Sequence, residues 1–258
     1  MKRLRVLGVI FLSLYVSALL IGEEREKKAF LSAVDSTGLV GFWPLDDREG
    51  DVARDESGNG NNGLLVGNPR WTDNGRSGGA LIFDKVDDVV KIDSRRYDFT
   101  HWYGITVAAW VKHRTGESGK NDIISWWYYD DSFPGKSFLL THHDVARYFW
   151  EIGYSTRFER WDTMGGRVSD QWTHVTGTYD VKTGTMSLYV NGEPVEVISF
   201  PGSRFLPEPP HYADLIVGGQ ADPGNKCYFD GIIDEVRLYD RALSEDEITK
   251  IMTIKAKR

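Results

Sequence analysis

The sequence predicts an all-β fold, a sandwich of two antiparallel sheets with one short helix near the C-terminus. Aromatic residues make up 13% of the 258 residues and charged residues only 27%, so the chain can bury a core. From Gly38 onward, short apolar runs recur about every ten residues, as they do in sandwiches and barrels. The 27 glycines and nine prolines are scattered along the chain, which indicates many turns.

The N-terminus has the pattern of an export signal. Lys2, Arg3 and Arg5 precede an apolar run at 6–21, and this order is typical of a secretory signal peptide. The alternative is an uncleaved N-terminal anchor, although the run is shorter than the roughly 20 residues that span a bilayer. We therefore expect residues 1–22 to be a cleaved signal and the protein to be secreted or extracytoplasmic, with no membrane contact after cleavage.

Net charge and cysteine content restrict the class of binding partner and the source of stability. Loss of the signal would change the net charge of −7 to −10, since three positive charges leave with no negative one. Proteins that bind nucleic acids need a basic surface, so an acidic chain argues against a nucleic-acid partner. Cys227 is the one cysteine, so no internal disulfide forms and stability must come from the core or from a bound ion.

The remaining chain divides into a polar segment at 23–37, a domain at 38–252 and a basic tail at 253–258.

The apolar runs and turn residues place the elements in order. Asn191-Gly192 predicts a type I′ hairpin turn, because both positions of that turn need positive φ. Ser244 is a helix N-cap with Glu247 at the capping-box position, followed by apolar residues on one face. The predicted strands are 39–45, 63–66, 80–83, 89–92, 105–113, 122–129, 137–141, 148–154, 174–180, 185–190, 195–200, 214–218 and 229–239.

Six ordered segments carry a family resemblance. They are LVGFWPLD at 39–46 with DESGNGNNG at 55–63, GITVAAWV at 104–111, QWTHV at 171–175 with TYD at 178–180, LYVNG at 188–192, FDGIIDEVRLY at 229–239 and ALS at 242–244. The chain resembles the LamG-like jelly-roll domains of the concanavalin A-like lectin/glucanase superfamily. The resemblance implies a two-sheet antiparallel jelly-roll sandwich that binds a carbohydrate or another ligand, often with one calcium ion.

Acidic and amide residues near both chain ends suggest a structural Ca²⁺ site. Between Asp55 and Gly63, oxygen-bearing side chains alternate with glycines, which suits a cation that prefers oxygen ligands. The resemblance implies that Asp46 and Asp234 complete such a site together with Asp55 and Asn61, provided that the first and last strands are neighbours. The alternative is that Asp55 and Asn61 hydrogen-bond only their own turn.

The candidate ligand residues are aromatic side chains and their polar neighbours. Sugars pack on aromatic rings and hydrogen-bond to flanking polar groups. Trp127 and Tyr129 share one face of a predicted strand, and Trp161 lies in a stretch that we expect to be a loop. Arg147 and Glu151 share a face of another predicted strand and could flank a sugar. For any single aromatic residue here, core packing is the alternative role.

The catalytic pattern of this superfamily is missing from the predicted strands. The resemblance to the glucanase branch would require Glu-x-Asp-x-x-Glu on one strand, where alternate carboxylates reach one face. An enzyme that uses dispersed residues such as Glu151 and His142 is the weaker alternative. We therefore expect a non-catalytic module that binds a polysaccharide or glycan. The second hypothesis is a protein-interaction or surface-assembly domain that binds a surface protein.

Overall fold

The computed structural model describes the greater part of the domain. The described residues are 36–95, 97–98, 101–114, 119–127, 136–143, 146–153, 160–200, 213–220 and 227–253, and five of them are described by backbone alone: Trp127, Lys136, Ser137, Arg160 and Trp161. The chain divides into two compact units, residues 1–37 and 38–258, and the fold below is that of the second. Among the described residues, no helix is both long enough and apolar enough to cross a membrane.

Sixteen strands and one helix make up the described secondary structure. In chain order they are β1 (Leu39–Trp43), β2 (Val52–Ala53), β3 (Gly63–Val66), β4 (Arg70–Ser77), β5 (Gly79–Asp84), β6 (Val89–Ile92), β7 (Gly104–His113), β8 (Asn121–Trp127), β9 (Lys136–His143), β10 (Arg147–Gly153), β11 (Arg160–Gly165), β12 (Thr173–Asp180), β13 (Thr185–Val190), β14 (Glu193–Ser199), β15 (Leu215–Val217), β16 (Asp230–Tyr239) and α1 (Glu245–Ile251).

The described strands form two antiparallel sheets. In the first sheet the order is β14-β13-β12-β7-β16-β5-β4, with β1 also paired to β16. In the second sheet the order is β11-β10-β9-β8-β15-β6-β3-β2. Because β16 has β7 on one side and β5 and β1 on the other, the first and last strands are neighbours. The predicted two-sheet antiparallel sandwich is confirmed.

The core lies between the two sheets and is rich in aromatic rings. In the second sheet the ring of Phe138 lies 5.7 Å from that of Trp150 and 6.1 Å from that of Trp126. Trp150 donates from Nε1 to Thr178 O of the first sheet at 3.0 Å. All three aromatic residues are almost fully buried. At about 25 cal/mol per Å² of apolar surface, such residues dominate the stability of the sandwich.

Local sequence determines the predicted turn and helix. Asn191 and Gly192 both have positive φ, at 53° and 84°, as the type I′ turn requires. At the start of α1, Ser244 accepts from Glu247 N while the Glu247 side chain accepts from Ser244 N. This capping box satisfies helix N–H groups that have no intrahelical partner.

The prediction was wrong about three strands. Each predicted strand range overlaps an observed strand, but β2, β4 and β11 were missed. All three lie at an edge of their sheet, where backbone pairing does not require a strongly apolar sequence. The expectation that Trp161 lies in a loop is wrong for the same reason: it lies in β11, paired with Ile152.

Candidate functional site

Strand β10 separates the core from an outer face of the second sheet. Side chains alternate along a strand, so Arg147, Phe149 and Glu151 lie on the face that points away from the core. Exposure falls along this row, because Arg147 is exposed, Phe149 is half-buried and Glu151 is buried. The part of the outer face open to a ligand is therefore at the Arg147 end. The β10 residues that pack in the core are Tyr148, Trp150 and Ile152.

Three side chains at the open end form a surface that we call the platform: His143, Phe149 and Met164. The rings of His143 and Phe149 stack with centroids 4.1 Å apart and an interplanar angle of 29°. Met164 lies opposite Phe149 on β11 and is 43% exposed. The two rings cover one face of each other in this stack, so the ring area that stays partly exposed, together with Met164, is what the apolar face of a sugar ring could contact.

Two carboxylates lie beside the platform on the same face. Glu151 Oε1 lies 3.4 Å from His143 Nε2. Asp122 pairs with Thr141 on β9, and Thr141 pairs with Phe149, which places Asp122 on this face too. Both carboxylates are fully buried. Glu151 therefore contacts His143, and a ligand that lies on the platform does not contact Glu151 directly.

Burial raises the pKa of Asp122 to about 6. This value already includes a smaller increase from the charge of Glu151 and decreases from Lys120 and from the polar side chains of Thr141 and Gln220. Desolvation dominates because a carboxylate without water favours its neutral form. Buried groups with shifted pKa values are common at functional sites. Asp122 was not among the residues predicted from the sequence, because only the pairing of β8 with β9 places its carboxylate on this face.

His142 does not belong to this face. Its register partner is Tyr148, on the core side of β10, and its Nε2 lies 3.1 Å from Asn121 Nδ2. His142 and Glu151 therefore project from opposite faces of the second sheet. A single active site that uses both residues is not compatible with this arrangement.

The remaining predicted ligand residues are less well defined. The backbone of Trp127 ends β8 and pairs with Lys136, and Trp161 lies in β11. Tyr129 lies outside the described residues. Trp126, the neighbour of Trp127, is 1% exposed and belongs to the core, which agrees with the predicted division of this aromatic stretch. The roles of Trp127, Tyr129 and Trp161 in ligand binding stay predictions.

Asp55 and Asn61 form a tightly hydrogen-bonded turn. Asp55 Oδ1 accepts from Phe42 N and Ser57 N, both at 2.9 Å. Asp55 Oδ2 accepts from Ser57 Oγ and from Asn61 N, both at 2.8 Å. Asn61 Nδ2 donates to Val40 O at 2.7 Å. Four donors occupy the oxygens of Asp55, which favours the alternative in which these residues hold their own turn.

Asp46 and Asp234 converge on a different turn, the one between β4 and β5. Asp46 Oδ1 accepts from Gly79 N, and Asp234 Oδ2 accepts from Ser77 N at 3.0 Å. Burial raises the pKa of Asp234 to about 8, although the backbone N–H of Ser77 lowers it. Asp234 Oδ1 is buried and has no hydrogen-bond partner. Of the four predicted metal ligands, the structure thus brings together Asp46 with Asp234, and Asp55 with Asn61.

One further acidic group lies at the β5–β6 turn. Of the described residues, only Asp84, Asp87 and Asp88 form a group of three His, Cys, Asp or Glu side chains with ligand atoms within 4.8 Å of one another. Asp88 accepts from Asn68 N at 2.7 Å and from Asp84 N at 3.0 Å. The Asp88 carboxylate thus stabilises the turn through two backbone hydrogen bonds.

Comparison with known proteins identifies the family. A family model described as Laminin_G_3, of the concanavalin A-like lectin/glucanases superfamily, matches residues 84–249, more than half of the chain. The human adhesion G-protein coupled receptor D1 is 31% identical over 93 residues, which are 36% of this chain and 10% of the receptor. The chain thus spans about a tenth of that curated relative.

Solved structures share the fold. The binding domain of botulinum neurotoxin serotype D has a TM-score of 0.64 at 14% identity, covering 85% of this chain and 52% of that domain. Domain 4 of an extracellular arabinanase from Geobacillus stearothermophilus, in complex with arabinotriose, has a TM-score of 0.59 at 18% identity. The match covers 83% of this chain and 97% of that domain. Trypanosoma rangeli sialidase in complex with sialic acid has a TM-score of 0.61 at 22% identity. The match covers 84% of this chain and 33% of the sialidase. At these identities the likeness shows the jelly-roll fold alone.

The raised pKa of Asp122 predicts a pH-dependent gain in stability for Asp122→Asn. The folded pKa lies above the unfolded value, so ionisation costs stability as pH rises from about 4 to 6. The uncharged amide avoids that cost. Its advantage over the parent protein should grow through this window and level off above pH 6, at about 2–3 kcal/mol.

Urea denaturation at a series of pH values measures this difference. Asp51→Asn is the control, because Asp51 is exposed and the same charge change there should have no such pH profile. An advantage of Asp122→Asn that is equal at every pH would contradict the desolvated carboxylate.

Proposed function

The chain belongs to the Laminin_G_3 family of the concanavalin A-like lectin/glucanases superfamily, and from this membership we propose that it is a non-catalytic carbohydrate-binding module. The ligand-binding surface is the platform on the outer face of the second sheet. The observation that carries the proposal is the half-exposed stack of His143 on Phe149, with Arg147 on the same row of side chains. The arabinotriose complex of the arabinanase domain and the sialic acid complex of the sialidase support a glycan as the ligand class.

The platform combines the two parts that a sugar site needs. The rings of His143 and Phe149, extended by the Met164 side chain, offer apolar area to the C–H face of a sugar ring. Arg147 offers hydrogen-bond donors to sugar oxygens at the edge of that surface. The buried Glu151 holds His143 from below at 3.4 Å, which restricts the ring to one orientation and lowers the entropy lost on binding.

A glycan array followed by titration calorimetry tests the platform. We expect Phe149→Ala to weaken binding of the best array ligand by about 1 kcal/mol, roughly fivefold, because a stacked ring is lost. The control is Val197→Ala, since Val197 is 55% exposed on β14 of the first sheet. Unchanged affinity in Phe149→Ala would place the ligand elsewhere. Turnover of a polysaccharide would show instead that the protein is an enzyme.

A protein partner is the second candidate function. The similarity to an adhesion receptor over 93 residues favours it, because that relative is named for adhesion. Absence of binding to every glycan on the array, together with capture of a defined surface protein by the purified module, would favour this candidate over the first.

We also propose a structural Ca²⁺ ion at the β4–β5 turn, held by Asp46 and Asp234. Calcium prefers hard oxygen ligands, and the buried, unpartnered Oδ1 of Asp234 is such an oxygen. Both carboxylates contact the same short turn, so an ion between them would neutralise charge that the fold otherwise buries. Asp55 and Asn61 fit this role poorly, because the Asp55 oxygens already accept four hydrogen bonds.

Calcium should stabilise the protein, since an ion that binds only the folded state adds about 2.7 kcal/mol at 100 times its Kd. We expect CaCl₂ to raise the melting temperature of EGTA-treated protein, and the rise to vanish in Asp46→Asn and Asp234→Asn but to persist in Asp51→Asn. A rise that persists in both ligand variants and vanishes in Asp84→Asn would move the ion to the β5–β6 turn. An identical melting curve with and without calcium would refute the ion.

We propose in addition that the chain is exported with cleavage of residues 1–22. The basic start and the apolar run at 6–21 support this, and a glycan-binding module would meet polysaccharides outside the cytoplasm. N-terminal sequencing of the exported protein should begin near Glu23. A mature chain that begins at Met1 would instead support the uncleaved anchor.

A further inference from the structure

A cleft of about 540 Å³ lies at the open end of the platform, lined by Ala146, Arg147, Gly166, Arg167 and Val168. We call it the arginine cleft. It forms where the turn before β10 meets the segment after β11. Val168 N donates to Ala146 O at 3.0 Å and ties the two segments together, so the walls of the cleft are held by backbone contacts.

Backbone geometry at the cleft fixes its shape. Ala146 and Gly166 both have positive φ, at 53° and 62°, which turns the chain sharply on each side. A Cβ on Gly166 would lie 2.5 Å from Val190 Cγ2, so only glycine fits where this segment packs on β13. Arg147 and Arg167 thus each follow directly after a residue with positive φ.

Arg147 and Arg167 have no ion-pair partner within the described part of the chain. Both residues are exposed, and neither forms an ion pair there, whereas Arg95 pairs with Asp93 at 2.7 Å. In a chain with 38 acidic and 31 basic residues, two unpaired arginines in one concavity form a local positive site. Guanidinium groups recognise carboxylates and sulfates through paired hydrogen bonds.

A second cleft gives a contrast. It has about 430 Å³ and is lined in part by Arg114 and Asp170. Arg114 there pairs with Asp230 at 3.0 Å, and Asp170 adds a negative charge to the lining. Lys112 also lines this cleft, so its two cations face the carboxylates of Asp230 and Asp170, whereas the lining of the arginine cleft contains two arginines and no acidic residue.

The arginine cleft continues the platform. Arg147 lies directly opposite His143 in the β9–β10 register, and it precedes Phe149 by two residues on the same face. Two residues of strand span about 7 Å, so a substituent of a sugar that lies on Phe149 can extend to the Arg147 guanidinium. One ligand can therefore contact both surfaces.

We propose that the arginine cleft binds the acidic group, carboxylate or sulfate, of an anionic saccharide whose ring lies on the platform. This inference rests on the proposed glycan-binding function and specifies its ligand class. A nucleic acid is disfavoured, because the acidic chain as a whole repels an extended polyanion. A single acidic substituent needs only the two arginines.

An array of neutral, uronate-bearing, sialate-bearing and sulfated glycans tests the inference. The strongest signals should come from acidic glycans. Titration of the best one should show at least a tenfold loss of affinity in the double variant Arg147→Gln/Arg167→Gln, since two hydrogen bonds to a charged group are lost. Arg70→Gln is the matched control, because Arg70 is exposed on β4 and the substitution removes a charge far from the cleft. Affinity of the parent protein should also fall with added salt.

Two further arms identify the acidic group. The carboxyl methyl ester of a uronate or sialate hit, or the desulfated form of a sulfated hit, should bind the parent protein as weakly as the acidic glycan binds the double variant. Equal melting temperatures of parent and double variant would confirm that both are folded, as expected for exposed side chains.

The outcomes separate this inference from the function on which it rests. Binding of neutral glycans that Phe149→Ala weakens and the double variant does not would overturn the anionic ligand and leave the glycan-binding function intact. Binding of no glycan would overturn both. Binding of a phosphopeptide or of anionic vesicles, without any glycan, would show that the arginines serve another class of ligand.

Discussion

The position of Trp150 between the two sheets is the constraint on which the outer-face site depends. Its indole donates to Thr178 O at 3.0 Å, and its ring lies so close to Gly177 that a Cβ there would fall 2.2 Å from a ring carbon. Because side chains alternate along β10, a Trp150 fixed inward fixes Phe149 and Glu151 outward. The platform is therefore a consequence of how the core packs.

The same alternation explains why charge is buried beneath the platform. Leu139 and Thr141 of β9 are fully buried on the outer face, so a carboxylate placed among them loses its water. Asp122 and Glu151 both lie there, and desolvation raises the pKa of Asp122 to about 6, with a smaller contribution from the charge of Glu151. Burial of such groups costs stability, and proteins accept such costs mainly at functional sites. One such cost thus lies beside the platform, at Asp122, and another lies at the β4–β5 turn, at Asp234.

Periodicity in the sequence was sufficient for the central strands and for the Asn191-Gly192 turn, but it missed three of the four strands that end the two sheet orders. β7, β12 and β16 are apolar and buried along almost their whole length, so their pattern is strong. β4, with the sequence RWTDNGRS, is half-exposed throughout, and β11 is the edge of the other sheet. Edge strands are held by backbone hydrogen bonds on one side, and these leave little trace in side-chain pattern.

The candidate site was predictable only in part, because pairing between strands assembles it. The alternation along β10 already placed Arg147 with Glu151. The stack of His143 on Phe149, however, requires the β9–β10 register, and the approach of Asp122 to Glu151 requires β8 as well. For Asp55 the residue types suit both a calcium ligand and a turn, and only the four hydrogen bonds to its oxygens distinguish the two roles. A one-dimensional pattern does not contain these distances.

The acidic surroundings give the arginine cleft a selectivity that a basic surface would lack. At physiological salt, charges separated by more than about 8 Å are largely screened, so Arg147 and Arg167 attract an acidic group only at close range. The net charge of −7 meanwhile opposes the approach of a long polyanion, whose many charges meet many acidic residues. A saccharide with one acidic substituent meets little of that repulsion. In the complex that we propose, contact with the platform would supply the apolar part of the binding energy, so both surfaces would be needed for tight binding.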